Sequence, residues 1–72
     1  MKQLSFYKIG KCLKREYIKG WPNWTGEIPQ NGDIVKLHFG DRNETEIEYR
    51  VLYRVIDDRH QDTIDIIVTE IE

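Results

Sequence analysis

Cysteine is almost missing from this chain. Cys12 is the single one among 72 residues, so an internal disulfide and a cysteine-rich zinc site are both excluded. With no histidine near it in sequence, its thiol reads as ordinary and reduced. Long apolar runs are missing as well. The longest aliphatic stretch is Ile66-Ile67-Val68, and the opening Met1-Lys2-Gln3-Leu4-Ser5-Phe6-Tyr7-Lys8 holds no continuous apolar segment. The sequence therefore predicts neither a signal peptide nor a membrane span, and the expected location is the cytoplasm. Repeats and low-complexity tracts are absent too. A chain this short buries only about 60% of the surface its unfolded form exposes, which leaves a thin core and little room for a large catalytic cavity. One domain over residues 1–72 is expected, and a dimer interface would be one source of the missing burial.

Charge of neither sign dominates the whole, at a formal -2, yet it is unevenly spread. Residues 1–20 hold six bases (Lys2, Lys8, Lys11, Lys14, Arg15, Lys19) and one acid (Glu16), for +5; residues 21–72 hold five bases and twelve acids, for -7. A cationic segment beside an anionic body marks either an anion-binding face or two complementary surfaces of one barrel. The second reading is the simpler.

The clearest periodicity runs from Thr45 to Asp57, where Ile47, Tyr49, Val51, Tyr53 and Val55 take every second position. That alternation predicts a half-buried strand. Leu52 and Ile56 fall out of phase, which predicts cover on both sides of its far half. At about 3.3 Å per residue such a strand would reach roughly 43 Å, whereas a compact chain of this length is about 29 Å across, so it must bend, with a bulge near Leu52. Ahead of it, Val35, Leu37 and Phe39 share one face, and Gly40-Asp41-Arg42-Asn43-Glu44 is turn-rich, giving an antiparallel hairpin. Behind it, the polar loop Asp57 to Asp62 leads into Thr63 to Ile71, a third strand of a meander. Its period slips between Ile66 and Ile67, which calls for a bulge or for burial on both faces.

The first twenty residues allow two readings. As strands, Leu4 to Ile9 and Cys12 to Ile18 flank a two-residue Gly10-Lys11 link. As a helix, Leu13 and Tyr17 share a face and Lys19-Gly20 ahead of Pro22 forms the stop. The hairpin is preferred. From Gly20 to Gly32, both prolines, both tryptophans and three glycines predict a loop that no regular element crosses.

Ile28-Pro29-Gln30-Asn31-Gly32-Asp33-Ile34-Val35-Lys36-Leu37, followed by Tyr49-Arg50-Val51 and an isoleucine-rich final strand, resembles the entry to small SH3-like barrels. It is similar in particular to short bacterial and phage-associated proteins of uncharacterised function, over residues 20–72. The resemblance implies a fold and no activity. Gly32-Asp33 is first of all a turn, with glycine free to take positive φ and the aspartate able to accept backbone N–H groups. A second stretch, Tyr49 to Asp58, resembles the central sheet of RelE/ParE-type toxins, which place two helices ahead of that sheet.

No catalytic, cofactor or metal site is predicted. His38 and His60 match no ligand spacing, and Asp57, Asp58 and Asp62 lack the glycine and closing glutamate of a calcium loop. Trp21 and Trp24 either plug the end of the barrel or present rings for stacking. With Lys8, Lys11, Lys14, Tyr17 and Lys19 they make up the candidate binding surface. The expected fold is an all-β, SH3-like small barrel of about five antiparallel strands. The expected role is a non-catalytic binding module whose partner is a protein or a second copy. A nucleic-acid-binding module built on the basic amino-terminal segment is the alternative, and a toxin-like ribonuclease the third.

Overall fold

The computed structural model describes residues 2–10 and 12–71. Five strands appear in chain order: β1 (Lys2–Ile9), β2 (Arg15–Trp24), β3 (Ile34–Phe39), β4 (Thr45–Ile56) and β5 (Thr63–Glu70). They form one curled, open sheet of order β2-β1-β5-β4-β3, a half-barrel with β2 and β3 as its edges. The all-β architecture and the β3-β4-β5 meander are as expected. One pairing, β1 with β5, is parallel, and it joins the amino-terminal hairpin to the meander. Among the described residues there is no helix, hence none long and apolar enough to cross a membrane.

β5 sits at the centre, paired to β1 along one side and to β4 along the other. This position explains its composition. Ile64, Ile66 and Val68 face the concave core with Leu4, Phe6, Leu37, Tyr49 and Val51. Ile67 turns to the convex face, where the register places it between Tyr7 of β1 and Tyr53 of β4, and it too is 0% exposed. The slip in period at Ile66-Ile67 is thus burial on both faces of a regular strand; the irregularity belongs to β4. There, Val51 pairs with Val68 and Tyr53 with Ile67, so one extra residue is inserted at Leu52. The bulge lies where the length argument put it, and the molecule's longest dimension is 33 Å.

Three expectations are corrected. The first concerns the amino-terminal hairpin, which forms as preferred in place of the helix alternative, with β1 and β2 paired antiparallel, but with a different link. The link is longer than two residues. Ile9 pairs with Arg15, and between them Leu13 takes a left-handed φ of 58° with its N–H donating to the Gly10 carbonyl. Second, β2 runs through Gly20, Trp21 and Pro22 to Trp24 instead of stopping at Gly20. Two features make this feasible. β2 is an edge strand, where a missing N–H costs little, and a bulge at Pro22-Asn23, with Asn23 at φ 60°, takes up the kink. Third, the far half of β4 is not covered on both sides, for a reason developed below.

The Gly32-Asp33 turn behaves as its residues require. Gly32 has φ 90°, the Gln30 N–H donates to Asp33 Oδ2 at 2.8 Å, and the Asp33 N–H donates to the Gln30 carbonyl at 3.0 Å. Gly32 donates to the Val51 carbonyl and Val51 donates to the Asp33 carbonyl, both at 2.8 Å, so this turn delivers β3 onto β4.

Candidate functional site

The surface expected from sequence divides between two faces of the sheet. Lys8 and Lys19 share the concave-side parity of Phe6, whereas Tyr17 pairs with Tyr7 on the convex side. Several of these groups are already engaged. Lys8 Nζ lies 3.3 Å from Glu70 Oε2. Lys19 reaches from one sheet edge to the other: its ammonium donates to the His38 carbonyl at 2.5 Å and sits 5.4 Å from the Trp21 ring centre and 5.6 Å from that of Phe39. The side chain therefore laces β2 to β3 across the open seam, with two aromatic faces stabilising its charge. Tyr17 packs edge-on against Tyr7 at 5.6 Å, and the Arg15 guanidinium lies 5.5 Å over the Tyr7 ring. Lys14 is exposed in the loop, and Lys11 lies outside the described residues.

The two tryptophans split between the roles open to them. Trp24 is half-buried against the core, its indole Nε1–H donating to the Glu27 carbonyl at 2.9 Å. Trp21 stands edge-on to it at 5.7 Å and stays 43% exposed. The histidines do not meet. His38 Nε2 is 3.2 Å from Glu46 Oε1 on the solvent face of the β3-β4 hairpin, and His60 belongs to the β4-β5 loop. In that loop the Arg59 guanidinium and backbone N–H both donate to Asp57 and hold its carboxyl below the usual carboxylate range. Burial raises the Tyr49 phenol above its ordinary value, the Glu70 carboxylate adds to that, and Lys8 opposes it.

A different surface emerges from the topology. β3 pairs with residues 45–50 of β4, and the Gly32-Asp33 turn bonds to Val51. Beyond that point, among the described residues, residues 52–56 pair with β5 alone. In antiparallel pairing alternate residues aim their N–H and C=O groups away from the neighbour, so one side of this segment is an unpaired ladder. Apart from Arg54 its side chains are apolar or aromatic, and they are open: Leu52 is 38% exposed, Tyr53 41%, Val55 36% and Ile56 58%. A cleft of about 300 Å³ adjoins the convex side of Val55, lined also by Arg15, Asp57, His60, Thr63 and Asp65. The sequence signal was the out-of-phase apolar pair Leu52 and Ile56. It predicts burial on both faces, but among the described residues the five strands in this order leave it exposed.

Comparison with protein-family models, with curated proteins and with solved structures finds no match to this chain.

Proposed function

We propose that this protein is a non-catalytic binding module that accepts an extended segment of protein chain along the bare side of residues 52–56 of β4. The observation carrying this reading is the coincidence of an unpaired strand edge with four exposed apolar side chains in five residues. Main-chain hydrogen bonds to such an edge provide affinity, and alternating side-chain contacts provide specificity. What favours this choice over nucleic acid is that Lys8 and Lys19 are engaged by Glu70 and by the His38 carbonyl, while the Arg15 guanidinium lies over Tyr7 on the opposite face.

Selection from a displayed library of random peptides, followed by mapping of amide shifts, tests the reading. Recovered peptides should perturb residues 52–56, and Val55→Lys or Ile56→Lys should abolish binding while circular dichroism stays unchanged, since a lysine on an edge opposes strand addition. Binders that dock elsewhere would contradict it. So would micromolar binding of a single-stranded oligonucleotide at physiological salt that weakens in Lys14→Glu.

A further inference from the structure

The chemistry of the incoming strand follows from the register of the bare edge, on the reading just given. The bulge at Leu52 resets the alternation, so that Tyr53 and Val55 lie opposite Ile67 and Asp65 on the convex face. Arg54 and Ile56 lie opposite Ile66 and Ile64 on the concave side. Arg54 is the one ionised side chain between Leu52 and Ile56, it is exposed, and it makes no ion pair among the described residues. A strand added here therefore brings a side chain directly against an unpaired guanidinium, with apolar positions on both sides of it.

A second copy of this chain is a poor occupant for that geometry. Two-fold antiparallel pairing places a residue opposite its own copy, and three registers keep the apolar segment in the interface. Centred on Arg54, the two guanidinium groups face each other, which is destabilising. Centred on Tyr53, Arg54 faces the bulged Leu52. Centred on Val55, Arg54 faces Ile56 and Tyr53 faces Asp57. Each register sets the charge against its like or against an aliphatic side chain, the arrangement by which native sheets block edge-to-edge self-pairing.

We propose that the partner is an extended segment of another protein that carries an aspartate or glutamate opposite Arg54 and pairs antiparallel, as both neighbours of β4 do. Apolar residues face Val55 and Tyr53 on either side of the acid, and a further apolar residue faces Ile56. Read from its amino end, the segment runs apolar, apolar, acid, apolar. The carboxylate meets the guanidinium as a cross-strand ion pair with hydrogen bonds from the planar fork.

Three capped peptides, Thr-Ile-Val-Glu-Val-Thr and its Gln and Lys counterparts at the acidic position, are titrated into the whole protein and into Arg54→Glu. For the wild type, affinity falls in the order Glu, Gln, Lys, with about tenfold between the extremes; for Arg54→Glu the order inverts. Unchanged dichroism of Arg54→Glu, together with its gain of affinity for the Lys peptide, separates this result from a loss of fold. Equal affinity of all three peptides for the wild type overturns the acidic specificity and leaves the edge reading standing. If none binds at millimolar concentration, the edge reading falls and takes this inference with it. A concentration-dependent homodimer in sedimentation, with residues 52–56 at its interface, overturns the choice of occupant.

Discussion

The two halves of β4 read alike as sequence and fare differently in the fold. Thr45 to Val51 and Leu52 to Ile56 are both rich in β-branched and aromatic residues with charges between them. In the first half, β3 or its entry turn lies along one side, β5 pairs from Tyr49 onward, and Tyr49 and Val51 sit in the core. In the second half β5 is the only neighbouring strand among the described residues, and every side chain is exposed. Alternation thus reports that a residue belongs to a strand; burial is decided by how many neighbouring strands the chain can supply. The described residues form five strands, and in this order none but β5 lies beside β4 from Leu52 onward.

The sharpest way to break this comparison is a charge placed in each half. Val51→Asp puts an unpaired carboxylate into a site that is 1% exposed, and should cost about 3 kcal/mol or more, enough to unfold so small a domain. Val55→Asp should leave the circular dichroism and melting temperature close to wild type. Similar losses for both would mean that the second half is buried after all.

The seam comes next in size. Lys19→Ala removes the ammonium from between the Trp21 and Phe39 rings and from the His38 carbonyl, an expected loss of about 1–2 kcal/mol in urea unfolding. Lys19→Met keeps the apolar stem and should recover roughly half of that. A null effect for both would show that the half-barrel needs no lacing between β2 and β3.

Tyr49 tests the first half by pH. Its folded-state pKa lies above the unfolded one, so its contribution is complete below about pH 10 and is lost as pH rises through the folded value. Tyr49→Phe should change neutral-pH stability by less than about 0.5 kcal/mol and make the alkaline decline shallower. An unchanged alkaline slope would place the phenol in water. The smallest effects belong to the solvent-facing charges. Lys8→Glu should cost under about 1 kcal/mol, since its pair with Glu70 is partly exposed, and Glu48→Gln should be nearly silent.

What the sequence showed well was local. The bulge near Leu52, the turn at Gly32-Asp33, the meander and the outward face of His38 all follow from the periodicity or φ preferences of a few consecutive residues. What it hid was non-local. The parallel pairing of β1 with β5 joins segments about sixty residues apart, and no pattern within either segment announces it. That pairing makes β5 central, so its isoleucines are buried inside the sheet on both faces. Pro22 misled in the same way, because a proline breaks a central strand yet is tolerated at an edge bulge, and edge status is a property of the whole sheet. Of the surface expected from Lys8, Lys14, Tyr17, Lys19, Trp21 and Trp24, the structure brings Lys19, Trp21 and Trp24 together and places Tyr17 on the opposite face, because successive residues of a strand alternate between faces.

Amide hydrogen exchange along β4, followed by NMR without and with the glutamate-bearing peptide, tests the central claim most directly. In the free protein, the amide of Val51 should be protected and the outward-facing amides within residues 52–56 should exchange rapidly, becoming protected when the peptide is added. Protection of those outward amides already present in the free protein at low concentration, or none gained at saturating peptide, would contradict the account.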